Sequence, residues 1–145
     1  MTYKEYTEMR QKGWNELPIR YAFGYEQFYK FLDEEGWNED DVVSLGYGGF
    51  THRDNLPEIK AFIEADDLAE RMKDTDFAYE AFMYEMANHE YHINLEGDYD
   101  VCSCFGHIDW AEDDIESYFI QLGWEPQTVK AYESARRDFL LTAHY

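Results

Sequence analysis

A chain of 145 residues with 32 acidic and 12 basic side chains carries a formal charge of −20 at pH 7. Spread over a folded diameter of about 38 Å, that charge density rivals duplex DNA, with one charge per ~1.7 Å, so it draws in cationic partners and repels nucleic acid, phosphates and anionic membranes. A composition of 45% hydrophobic and 19% aromatic residues excludes a disordered acidic tail, two cysteines exclude a disulfide framework, and no apolar run is long enough for a transmembrane helix.

The N-terminus, MTYKEYTEMRQKGWNELP, has no apolar segment of the kind a secretory signal needs. With the sparse cysteines, this gives the expectation of a reduced, cytoplasmic protein folded as one acidic domain over residues 1–145. A first helix is predicted from Tyr3 to about Trp14, followed by an extended run from Ile19 to Phe23 after Pro18. Tyr25, Phe28, Tyr29 and Leu32 follow i, i+3, i+4, i+7 spacing and predict a second helix, opened by Gly24 and closed by Gly36. Val42, Val43 and Leu45 read as a strand running into Gly46-Tyr47-Gly48-Gly49-Phe50. The glycines there mark a tight turn or bulge, since no lysine and no GxxxxGK[ST] pattern follows to hold a phosphate.

A helix from Asn55 to about Lys73 has Pro57 in its first turn, and Asp74-Thr75-Asp76 caps a further helix from Phe77 to about Glu90. Residues 91–107 read as extended or irregular, with a hairpin around Glu96-Gly97-Asp98. Ile115, Tyr118, Phe119 and Leu122 mark a helix ended by Gly123, and Pro126 starts the last one, with Val129, Tyr132, Phe139, Leu140 and Ala143 inward. The fold class is α+β: a single α-rich domain with about five to six helices and a small antiparallel sheet, built near 19–23, 42–50 and 99–105.

Acidic residues cluster in four places. They are Asp33, Glu34, Glu35, Glu39, Asp40 and Asp41; Glu64, Asp66 and Asp67; Glu96, Asp98 and Asp100; and Asp109, Glu112, Asp113, Asp114 and Glu116. Aligned on one face they would imitate a phosphate backbone; scattered, they are solvated helix ends favoured by the helix dipole. Tyrosines at helical spacing belong to the core, while Tyr3, Tyr6, Tyr47, Tyr99 and Tyr145 are expected at the surface, where Tyr gives large contact area at low entropic cost. His89, His92, Cys102, Cys104 and His107 form an H-x2-H…C-x-C-x2-H pattern of soft ligands that a tetrahedral zinc would accept. The pattern needs the helix to persist through His92 and a strand to carry both thiols on one face. Against zinc, buried cysteines are commonly small hydrophobes and a histidine at a helix end commonly a cap. No cofactor is assigned on this pattern.

Tyr21-Ala22-Phe23-Gly24-Tyr25-Glu26-Gln27-Phe28, Gly46-Tyr47-Gly48-Gly49-Phe50 and Tyr84-Glu85-Met86-Ala87-Asn88-His89-Glu90-Tyr91 form a set of motifs, YAFxxxQF, GxGGF and YExxNHEY. In this order the set resembles a family of small acidic proteins of unknown function from phages and mobile elements, over roughly residues 1–95. The resemblance implies an α+β fold and a mobile-element setting, and brings no catalytic residue. The leading functional expectation is a non-catalytic protein that blocks a basic groove on a host nucleic-acid-handling protein, such as a CRISPR effector or a restriction enzyme. Its binding residues would be Asp33, Glu34, Glu35, Glu39, Asp40, Asp41, Asp109, Glu112, Asp113 and Asp114. It would not bind nucleic acid or membrane itself. Two other readings stand beside it: a small zinc- or thiol-dependent protein acting through the His/Cys pattern, and an acidic accessory protein of a mobile element, monomeric or homodimeric.

Overall fold

Helices dominate the structure, and two of them end on a left-handed glycine, Gly36 and Gly123. The computed structural model describes residues 1–111 and 114–142; Glu112, Asp113, Ala143 and Tyr145, named above, lie outside them. The described chain is α-rich α+β and packs as two compact units, Glu8–Asp66 and Met1–Thr7 with Asp67–Tyr145. Among the described residues no helix is long and apolar enough to cross a membrane.

Helix α1 (Tyr3–Glu16) gives its first turn to one unit and its remainder to the other. The unit Glu8–Asp66 continues with β1 (Arg20–Tyr21), α2 (Tyr25–Glu35), a 3-10 turn at Glu39–Asp41, β2 (Val42–Gly46), β3 (Gly49–His52), a second 3-10 turn at Arg53–Asn55, and α3 (Leu56–Glu64). The three strands form an antiparallel sheet in the order β1-β3-β2, with Tyr21 opposite Gly49 and Ser44 opposite Phe50. Gly36 ends α2 as expected: at φ 71° its backbone N–H reaches the carbonyls of Asp33 and Leu32. Phe50, Leu32 and Ile59 are buried, with the Phe28 ring edge-on to Phe50 at 4.8 Å. Thr51 is wholly buried and donates its hydroxyl to the Pro18 carbonyl at 2.6 Å, so its polar atom is satisfied.

The other unit holds α4 (Leu68–Arg71), α5 (Thr75–Asn88), α6 (Leu95–Cys102), a 3-10 turn at Ser103–Phe105, α7 (Glu116–Leu122) and α8 (Pro126–Thr142). Its core joins α5 to α8 through Ala78, Ala81, Phe82 and Met86 on one helix and Ala131, Tyr132, Ala135 and Phe139 on the other. Small alanines let the two backbones approach while Phe82 meets Tyr132 edge-on at 5.0 Å. Tyr3 and Tyr6, expected at the surface, are buried in this core and pack edge-on against Phe77. Tyr99 is half-buried, edge-on to Tyr118, while Tyr47 is fully exposed as expected.

Two expectations about elements are corrected. The helix predicted through Lys73 stops at Glu64, and a new short helix starts after Asp67, whose carboxylate holds Arg71 at 2.8 Å. Aspartates compete for backbone hydrogen bonds and break helix interiors. Residues 95–102 form α6, neither a hairpin nor a strand, so the third strand of the sheet is not at 99–105. The cap explains it: the Asn94 side chain accepts from Gly97 N at 2.7 Å. Gly97 is needed because a Cβ there would collide with the His92 carbonyl.

Candidate functional site

In the unit Glu8–Asp66, two of the aromatic-rich sequence stretches meet. Ala22 N donates to the Gly48 carbonyl at 3.0 Å, and Tyr21 faces Gly49 across the sheet. This clamps the start of α2 against the β2–β3 turn. The turn is left-handed at three successive residues, Gly46 (φ 89°), Tyr47 (φ 52°) and Gly48 (φ 80°). A side chain at Gly48 would carry its Cβ to 2.7 Å from the Ala22 carbonyl oxygen, so glycine is required twice over, for conformation and for close approach.

Between these segments lies a groove of about 390 Å³, lined by Ala22, Tyr25, Phe28, Glu39, Val42 and Phe50 among others. Its walls are mostly apolar, and Glu39 supplies a carboxylate. Around it three aromatic side chains stand in solvent: Phe23 is 88% exposed, Tyr25 83% and Tyr47 101%. Together they form an exposed aromatic patch with carboxylates at its edge. The core of this unit is built from other residues, Leu32, Phe50 and Ile59.

The first acidic cluster belongs to this same unit, and its six members are not equivalent. Glu34 and Glu35 clamp the Arg20 guanidinium at 2.8 and 2.7 Å, while Arg20 stacks over the Phe31 ring at 4.0 Å. Those hydrogen bonds, Glu35 first, raise the Arg20 pKa further, so part of this charge is neutralised within the fold. Glu39 accepts from the Tyr29 hydroxyl at 3.1 Å, which raises the Tyr29 pKa. His52 accepts from Asp54 N through Nδ1, which leaves Nε2 as the protonated nitrogen, 4.0 Å from the Asp41 carboxylate. Asp33, Asp40 and Asp41 project into solvent. The Asn38 side chain caps the Glu39–Asp41 turn through Asp40 N, fixing three consecutive carboxylates beside the groove wall.

The fourth cluster lies in the other unit. Asp109 is exposed, and its backbone N–H and carbonyl are both bound by the Gln121 side chain, at 2.7 and 3.1 Å. Asp114 accepts from Glu116 N at 2.9 Å, a helix-start contact at α7. Glu112 and Asp113 are outside the described residues. The third cluster loses a member to the core. Asp98 is buried, accepting from Tyr91 and Tyr132 hydroxyls at 2.5 and 2.7 Å with Arg136 at 3.8 Å. It organises the interior of its unit and adds nothing to the acidic surface.

The histidine and cysteine pattern is only partly assembled. Helix α5 ends at Asn88 with His89 as its C-cap, and Glu90 turns left-handed at φ 50°. His92 therefore leaves the face that His89 occupies. His107 is exposed and pairs with Asp109 at 3.4 Å. Cys102 is buried inside α6, whereas Cys104 lies in the following 3-10 turn, so the thiols do not share a strand face. Burial, with a smaller contribution from Asp98, pushes the Cys102 thiol up to about 12. Burial and then the Glu85 charge push Cys104 up to about 12 as well. What the pattern did bring together is His89, Cys104 and a residue it omitted, Glu85, one helical turn before His89.

The chain belongs to a family of unknown function, DUF7659, whose model matches residues 2–119. The match reaches past the stretch that carries the resemblance, to take in α6 and both cysteines. No curated protein and no solved structure matches the chain.

Proposed function

We propose that this member of the DUF7659 family is a non-catalytic binding protein, whose acidic and aromatic surface at the α2 and β2–β3 groove occupies a basic site on a partner protein. The observation that carries the reading is the coincidence, in one small unit, of three solvent-exposed aromatic rings with three capped, consecutive carboxylates, Glu39, Asp40 and Asp41. Rings give contact area, and carboxylates give attraction and orientation. A net charge of −20 extends that attraction beyond the patch and favours partners that normally hold nucleic acid. The specific case is a host defence nuclease of the CRISPR or restriction type, in keeping with the phage and mobile-element setting that the sequence motifs imply. Absence of catalysis is part of the proposal.

Carboxylates and rings divide the labour in this reading. Reversing Asp40 and Asp41 to lysine slows association tenfold or more and flattens its salt dependence. Tyr25→Ala combined with Tyr47→Ala leaves association near normal and speeds dissociation. Stopped-flow binding at two ionic strengths separates the effects. Equal association rates for wild type and the double lysine variant would defeat the electrostatic half of the proposal.

A further inference from the structure

Three donor atoms of different chemistry converge at one point in the unit that contains α5. Glu85 Oε2 lies 3.4 Å from His89 Nε2 and 3.3 Å from Cys104 Sγ, and Sγ lies 3.3 Å from Nε2. Tetrahedral zinc bonds sulfur at ~2.3 Å, nitrogen at ~2.0–2.1 Å and carboxylate oxygen at ~2.0–2.2 Å, which sets its ligand atoms about 3.4–3.6 Å apart. The observed triangle has nearly those edges. We propose that Glu85, His89 and Cys104 bind one transition-metal ion of the zinc class, with a fourth, open position for water or an exogenous ligand.

The alternative for a thiol, an imidazole and a carboxylate is a proton relay. That arrangement puts the carboxylate on the ring nitrogen opposite the one facing the nucleophile. Here Sγ and Oε2 both face Nε2, and one nitrogen cannot orient the ring and take the thiol proton together. Three ligand atoms of the right kinds, 3.3–3.4 Å apart, suit an ion instead. The surroundings agree. The Tyr3 hydroxyl donates to Glu85 Oε1 at 2.9 Å, which fixes the carboxylate and leaves Oε2 for the ion, as supporting hydrogen bonds do in metal sites. The Glu85 side chain is 9% exposed and that of His89 36%, so the site is rooted in the core and open on one side. A thiolate with an imidazole selects zinc or cobalt over magnesium and calcium. This site shares no residue with the groove of the proposed binding function, and either reading survives the loss of the other.

The test is titration of tag-free, chelator-treated protein with Co²⁺ alone, followed by its visible bands and by thiolate-to-cobalt charge transfer in the near ultraviolet. The expected result is one Co²⁺ per chain, displaced by one equivalent of Zn²⁺. Cys104→Ser loses the charge-transfer band, His89→Ala weakens binding at least tenfold, and Tyr3→Phe weakens it about 10- to 100-fold. Cys102→Ser, His92→Ala and His107→Ala keep the wild-type spectrum. If Cys104→Ser does not fold by circular dichroism, His89→Ala at its solvent-facing position decides. Wild-type protein without a thiolate band, or one whose band survives both Cys104→Ser and His89→Ala, overturns the site.

Discussion

Asp98 anchors a buried polar network in the unit that holds α5 and α8. A carboxylate that is 2% exposed is tolerated only because two tyrosine hydroxyls and Arg136 surround it. Arg136 is itself incompletely served, since its Nε has no hydrogen-bond partner among the described residues. Asp98→Ala strands both hydroxyls and the guanidinium, and is expected to cost about 3–5 kcal/mol, read as a fall in urea midpoint at unchanged slope. Tyr132→Phe removes one bond of the set and costs less. Cys102 gives a pH dependence with a definite sign. Its folded pKa of about 12 lies above the unfolded value near 8.5, so its contribution is whole below about pH 8.5 and is lost as pH rises toward 12. Buried Tyr132 and Tyr91, also raised by burial, add to the loss above about pH 10. Cys104, raised to the same value, adds an equal share, so unfolding free energies from urea titration should fall above about pH 8.5, approaching about 1.4 kcal/mol per pH unit for each thiol, and Cys102→Ala should roughly halve that slope below about pH 10.

At the scale of elements, the sequence was most readable where one residue type has one physical use. Gly36 marked the end of α2 because the left-handed cap admits glycine most cheaply, and the Asp74 cap of α5 was legible for a similar reason, confirmed by its bond to Phe77 N at 2.9 Å. Helix α6 was misread because Glu96-Gly97-Asp98 resembles turn chemistry, although Asn94 was an available N-cap signal. The α2 to β2–β3 groove was not legible, because Phe23, Tyr25 and Tyr47 look like any other aromatics until pairing of Ala22 with Gly48 brings them together. Glu85 was hidden among 32 acidic residues, and its only signal was the four-residue spacing to His89. Gly48 is the element-scale test. Gly48→Ala combines a left-handed φ with a Cβ 2.7 Å from a carbonyl oxygen, so it should cost at least about 1–2 kcal/mol and open the groove. Gly24→Ala, with open space around its Cβ, is the matched control and should change the thermal midpoint far less.

At the scale of the whole molecule, charge sets the terms. A surplus of 20 negative charges was plain in the composition, but composition did not say which carboxylates are free to act. The structure removes Asp98 to the core, ties Glu34 and Glu35 to Arg20, and leaves Asp33, Asp40 and Asp41 in solvent. Long-range attraction by such a surface is screened within about 8–10 Å at ordinary salt, so a partner held by it should be released as ionic strength rises. The most direct measurement is parallel capture from host lysate with wild-type protein and with the variant carrying Asp40→Lys, Asp41→Lys, Tyr25→Ala and Tyr47→Ala, at low and high salt, read by mass spectrometry. The account predicts that wild-type protein enriches a basic, nucleic-acid-binding protein at low salt, that duplex DNA or high salt displaces it, and that the variant fails to hold it. Capture of the same proteins by wild type and variant, or of none with a basic nucleic-acid site, would contradict it.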